Sequence, residues 1–220
     1  MKTKPHRAHR FFRPGLRQPP ILPGLLLICA ILLGACGNDT PPLPRLSEDA
    51  VILAFGDSLT FGTGAASTDS YPAQLQQLTG RRVINAGVPG EVSAAGLRRL
   101  PGLLDRHQPA LLLLCHGGND ILRGLSRSAL RRNLDDMISL ARQRDIAVVL
   151  LAVPEFGLFL QAADVYAELA RTHNIPLQND ALPDILQRAS LKADQVHPND
   201  KGYRKLAQSL ATLLQDAGAI

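Results

Sequence analysis

Val51-Ile52-Leu53-Ala54-Phe55-Gly56-Asp57-Ser58-Leu59 is five apolar residues running straight into a glycine turn that ends on a serine. An unbroken apolar run, rather than an apolar–polar alternation, fits a strand buried on both faces of a helix-covered parallel sheet. Runs of the same kind recur at residues 82–85, 111–115, 146–152 and, more briefly, 175–177. Helical patterns lie between them at residues 71–79, 91–107, 126–144 and 158–173, and Asn199 caps a last one reaching Gln215. Pro101 is expected to kink or divide the second of these. The alternation predicts an α/β fold: a three-layer α/β/α sandwich on a five-stranded parallel sheet with right-handed crossovers. Ligands of such sheets bind beyond the carboxyl ends of the strands, so the residues that follow each run deserve the closest reading.

Four segments at such boundaries carry side chains suited to chemistry. Gly56-Asp57-Ser58-Leu59 follows the first run; alone it reads equally well as a helix cap. The second run ends in Asn85-Ala86-Gly87-Val88-Pro89-Gly90-Glu91, where either glycine lets a backbone N–H approach a substrate oxygen. After the third comes His116-Gly117-Gly118-Asn119-Asp120, whose Asn119 amide is a side-chain donor suited to a developing oxyanion. The last helix is preceded by Asp194-Gln195-Val196-His197, in which the carboxylate is close enough in sequence to fold back on the imidazole. A serine hydroxyl is a poor nucleophile unless a base lies within reach and a third group orients that base. Ser58, His197 and Asp194 supply all three. No Gly-x-Ser-x-Gly elbow is present, which disfavours the large α/β-hydrolase class. Gly62-Thr63-Gly64 lacks the third glycine of a dinucleotide fingerprint. His116, His173 and His197 are scattered without metal-ligand spacing, so no metal is expected. His116 reads as a buried, hydrogen-bonded histidine, a place behind Asn119 being the alternative. Cys115 reads as a small buried hydrophobe.

Together these residues resemble the SGNH (GDSL-type) hydrolase family over residues 50–215, closest to the bacterial thioesterase I/lysophospholipase/arylesterase subgroup. The finer match rests on residues 85–90, Leu97-Arg98-Arg99-Leu100-Pro101, and Gly117-Gly118-Asn119-Asp120 with Arg123-Gly124. One departure is His116, where relatives commonly have an aliphatic residue. The resemblance implies that Ser58 is the nucleophile, His197 the base and Asp194 its orienter. It also implies an oxyanion hole from the Ser58 and Gly90 N–H groups and the Asn119 side chain, with no cofactor. The implied reaction is hydrolysis of carboxylic esters through an acyl-enzyme, on aryl and short-to-medium acyl esters, lysophospholipids and acyl thioesters. Ile121, Leu122, Leu125, Phe156, Leu158 and Phe159 are candidates for an acyl-binding wall, since they follow strand ends on that side. The rival readings are a carbohydrate O-acetylesterase of the cell envelope and a catalytically silent envelope binding module.

The amino-terminal residues speak of location. Residues 1–17 carry six basic side chains and no acidic one, and an apolar stretch from Ile21 to Leu33 follows, too short to span a bilayer comfortably. Leu33-Gly34-Ala35-Cys36 resembles a bacterial lipoprotein box, so residues 1–35 are expected to be a lipoprotein signal peptide and Cys36 the lipidated residue. Residues 36–48, with Pro41, Pro42 and Pro44, read as a tether, and residues 49–220 as the hydrolase domain. Gly37 in place of an acidic residue favours the outer membrane, facing the periplasm. The formal net charge of +5 comes from the leader: without its six basic residues, 18 basic side chains face 19 acidic ones, a charge of −1. Nothing basic then argues for nucleic acid. The expected partners are a small-molecule or lipid ester and, through Cys36, a membrane; the domain itself is expected to be a monomer.

Overall fold

The apolar run at residue 51 becomes β1 (Val51–Gly56), whose residues from Ile52 onward are buried. It lies between β2 (Arg82–Gly87) and β3 (Leu111–Cys115) in a sheet completed by β4 (Ala147–Leu151) and β5 (Leu177–Gln178), in the order β2-β1-β3-β4-β5. Every pairing in this sheet is parallel. The computed structural model describes Met1 and residues 40–155 and 160–220. The chain divides into two units, Met1–Gly37 and Asn38–Ile220. The proposed signal peptide and Cys36 lie outside the described residues, as do Phe156, Leu158 and Phe159.

The burial of β1 and β3 explains their unpunctuated sequences: helices cover both faces, so no position can be polar. On one side, α2 (Tyr71–Thr79) packs on α8 (Asp200–Asp216), which also meets α7 (Ala181–Gln187). The other side has α3 (Ser93–His107), α5 (Arg127–Arg142) and α6 (Asp164–His173), packed in that order. Two short helices sit at strand exits: α1 (Ser58–Phe61) after β1 and α4 (Gly118–Leu122) after β3. A two-residue antiparallel ribbon, Pro154–Glu155 with Gln161–Ala162, follows β4.

Three sequence expectations are corrected. Pro101 does not divide its helix: α3 runs through it. A proline there costs a backbone hydrogen bond, but Leu100 and Leu104 on either side are wholly buried, which holds the helix in place. The helical pattern expected to begin at 158 begins instead at Asp164, because Gln161–Ala162 is drawn into the ribbon. The docked chain also begins earlier than expected, within residues 36–48. The Leu43 N–H donates to Ala217 O and the Leu46 N–H to Ala219 O, 2.8 Å each, and Leu46 is buried in the core. Leu43, between two prolines, and Leu46 dock where the chain's end offers carbonyl acceptors and apolar cover. Residues 42–44 lie beside residues 145–148 and 174–176, at the amino ends of β4 and β5.

The register then aligns the strand exits. Gly56 is paired with Gly87 on one side and Cys115 on the other, so the segments that follow β1, β2 and β3 emerge side by side.

Candidate active site

Ser58 is the first residue of α1, and the Asp57 carboxylate caps that helix by accepting the Leu59 N–H at 3.1 Å. From the far end of the chain, His197 Nε2 comes to 3.0 Å from Ser58 Oγ. The other ring nitrogen, Nδ1, is 2.8 Å from Asp194 Oδ2. An ionised carboxylate only accepts, so Nδ1 carries a proton and Nε2 presents its lone pair to the serine hydroxyl. The second oxygen, Asp194 Oδ1, accepts the N–H groups of Val196 and His197, both at 2.8 Å. Ala193 N–H closes the turn on His197 O at 2.9 Å, and Asn199 Oδ1 caps α8 through the Gly202 N–H at 3.0 Å. Imidazole and carboxylate are thus fixed by the loop's own backbone. Partial burial works against the Asp194 charge, but the His197 ring and the two N–H groups outweigh it and lower its pKa.

Gly90 and Asn119 line the same cleft as Ser58 and His197, a space of about 220 Å³. Gly90 has φ +76°, a left-handed conformation that suits glycine. Arg123 Nη2 donates to its carbonyl oxygen at 2.9 Å, which anchors the loop. Gly87 does not line the cleft, so of the two candidate glycines only Gly90 is placed for a substrate. Asn119 Nδ2 donates to Glu91 O at 3.1 Å and to Asp57 Oδ2 at 3.3 Å, so its amide is held before any substrate arrives. Burial raises the pKa of Asp57, against the opposing pull of His116, the Leu59 N–H and Asn119.

The acyl wall is only partly as expected. Leu122 lines the cleft. Ile121 instead lines a neighbouring depression with Arg127 and Leu130, and Leu125 is exposed outside the cleft. The rest of the apolar lining comes from Leu59, Pro89, Val153, Leu186 and Val196. Leu186 belongs to α7, which sequence reading missed; Leu182, Ile185 and Leu186 give it a helical apolar spacing. Cys115 is free and buried, and burial pushes its thiol well above the ordinary value. Among the described residues no three His, Cys, Asp or Glu side chains are grouped to hold a metal, and no helix is long and apolar enough to cross a membrane.

Parallel sheet, strand-exit serine and a distant Asp–His pair define the chain as an SGNH-type ester hydrolase. Residues 54–205 match the model of the GDSL-like Lipase/Acylhydrolase family, and the chain belongs to that family. Esterase TesA of Pseudomonas aeruginosa is 32% identical over 185 residues, covering 77% of this chain and 89% of its own. The Thioesterase 1/protease 1/lysophospholipase L1 of Escherichia coli K12 is 32% identical over 184 residues, covering 78% of this chain and 86% of its own. Among solved structures, AlinE4, described as an SGNH-hydrolase family esterase, is 34% identical with a TM-score of 0.61, covering 79% of this chain and 98% of its own.

Proposed function

We propose that this chain is a serine esterase that cleaves carboxylic esters through an acyl-enzyme on Ser58. The observation that carries the reading is the continuous relay from Ser58 Oγ to His197 Nε2 at 3.0 Å and from His197 Nδ1 to Asp194 at 2.8 Å. Ser58 Oγ attacks the carbonyl carbon while its proton passes to His197 Nε2. The carbonyl oxygen becomes an oxyanion facing the N–H groups of Ser58 and Gly90 and the Asn119 amide. That anion competes with the neutral Glu91 carbonyl for an Asn119 hydrogen, and a charged acceptor forms roughly twice as strong a bond. Collapse expels the alcohol, protonated by His197. Water, deprotonated by the same nitrogen, then attacks the acyl carbon and frees Ser58.

The apolar cleft supports aryl and short-to-medium acyl esters as substrates, and the names of the relatives extend the range to lysophospholipids and acyl thioesters. The sequence of residues 1–36 supports secretion and a lipid anchor at Cys36 in the bacterial envelope. The test is labelling by a fluorophosphonate probe together with turnover of aryl, lysophospholipid and acetyl-sugar esters, beside Ser58→Ala. Labelling and aryl-ester turnover that vanish in Ser58→Ala are expected. An unlabelled wild type would point to a silent binding module, and a preference for acetylated sugars to a carbohydrate esterase. Replacing Cys36 with serine should release the protein from the membrane fraction.

A further inference from the structure

The two loops that carry Gly90 and Asn119 come from different strands, β2 and β3, and their spacing fixes any oxyanion hole they form. Several side chains join them: Asp120, next to Asn119, accepts the Ser93 N–H at 2.8 Å and the Ser93 hydroxyl at 2.6 Å, Arg123 donates to the Gly90 carbonyl, and a buried histidine reaches the Glu91 side chain. His116 is wholly buried, and its Nε2 lies 3.1 Å from Glu91 Oε2. Arg99 clasps the same carboxylate with Nε at 3.0 Å and Nη2 at 2.6 Å, and Nη2 also donates to Ala86 O at 3.1 Å. The Arg99 guanidinium lies 4.5 Å over the Phe55 ring, and Phe55 and His116 pack with ring centres 5.3 Å apart. Burial disfavours the Glu91 charge, yet His116 and Arg99 bring its pKa down to about 2. The main-chain oxygen of this same Glu91 accepts the Asn119 amide at 3.1 Å. On the other side, the His116 carbonyl accepts the buried Tyr166 hydroxyl at 2.8 Å, three residues before Asn119.

Filling this place with an imidazole carries a cost. His116 Nδ1 is buried with no hydrogen-bond partner among the described residues. A Cβ on Gly96 would stand 2.4 Å from Nε2, so the ring occupies space that only a glycine on α3 leaves open. An aliphatic side chain would fill the volume without burying an unpartnered polar nitrogen. What the imidazole adds, beside the Asp120 and Arg123 links, is a directed bond to the Glu91 side chain itself.

We propose that His116 is a positioning residue, holding the Glu91 loop against the Gly117-Gly118-Asn119 turn and thereby setting the separation of Gly90 and Asn119. This inference rests on the serine-esterase reading. It is tested by kcat and KM for a p-nitrophenyl ester in His116→Leu, His116→Gln, Asn119→Ala and the His116→Leu/Asn119→Ala double variant, each checked by thermal melting. Asn119→Ala should lower kcat by about 10²–10³, the cost of one oxyanion donor. His116→Leu should lower kcat by about tenfold with KM within about twofold, because a displaced donor affects the transition state more than the ground state. In the Asn119→Ala background the same change should add less than about twofold, since coupled residues are not additive. His116→Gln, whose amide still donates to Glu91, should recover most of kcat. A full kcat in His116→Leu, an equal loss in both backgrounds, or a His116→Gln variant as slow as the leucine variant would overturn the proposal. Should His116→Leu fail to fold, Glu91→Ala must show the same kcat loss and the same non-additivity with Asn119→Ala. The two readings fail separately. Activity retained in Ser58→Ala or undiminished in Asn119→Ala sinks the esterase mechanism, whereas a slow Asn119→Ala beside a normal His116→Leu sinks only the positioning role.

Discussion

Asp194→Asn changes one atom type and should disable the enzyme. Asp194 Oδ1 accepts two backbone N–H groups, each at 2.8 Å, while Oδ2 accepts His197 Nδ1–H at 2.8 Å. Asparagine has a single carbonyl oxygen. Two backbone donors claim it, which turns the NH₂ toward Nδ1. The imidazole must then present a lone pair at Nδ1 and carry its proton on Nε2, the nitrogen 3.0 Å from Ser58 Oγ. In that tautomer it cannot accept the serine proton. For a buried aspartate the wrong tautomer costs about 10⁴ in kcat. Here the Asp194 side chain is 54% exposed, so water can compete for Nδ1 and readmit the productive tautomer. The expected loss is therefore roughly 10²–10⁴ in kcat, with KM changed little, because the carboxylate does not line the cleft. Steady-state hydrolysis of p-nitrophenyl butyrate at pH 7.5, with circular dichroism to establish folding, reads this directly. A folded Asp194→Asn variant within tenfold of wild-type kcat would refute the relay.

Three further outcomes are expected. In Gly87→Ala the new Cβ would stand 2.1 Å from Phe61 N and 2.6 Å from Phe61 Cα, so α1 must shift and move Ser58 with it; a displacement near 1 Å costs about 10²-fold in rate. Normal activity in that variant would show that α1 is not seated by β2. The pKa of Glu91 is lowered on folding from 4.5 to about 2, so its contribution is complete above pH 4.5 and drains away as the pH falls through 2. Over that window the wild type should lose up to about 3 kcal/mol of unfolding free energy that Glu91→Gln does not lose, measured by urea denaturation; parallel curves would contradict the ion pair with Arg99. Leu122→Glu, at the cleft wall, should lower kcat/KM more for longer than for shorter p-nitrophenyl acyl esters, and an unchanged chain-length profile would exclude Leu122 from acyl binding.

How much of this was legible in the sequence depends on whether the cause was local. The strands β1 and β3 were legible because burial on both faces leaves an unbroken apolar signature. Ser58, Asn119 and the Asp194/His197 pair were legible because each sits at an element boundary, where turn chemistry writes glycine, asparagine or proline beside the functional group. The helix α7 was not: it is seven residues long with Pro183 in its first turn, which reads as a break although a first turn tolerates proline. Within the expected acyl wall, Leu122 and Ile121 are separated by rotation. Successive residues of a helix point about 100° apart, so Leu122 faces the cleft while Ile121 is turned into the next depression. Glu91 and Arg99 carried no warning of their partnership with His116, since it exists only once α3 has folded back across Phe55 and the exit of β3.

The docking of Leu43 and Leu46 beside the last residues of the chain also decides where the chain enters the domain. Residues 42–44 leave at the amino ends of β4 and β5, whereas Ser58, Gly90 and Asn119 follow the carboxyl ends of β1, β2 and β3. The chain therefore enters the domain on the side away from the cleft. Residues 42–44 thus leave the mouth of the cleft clear for an approaching ester.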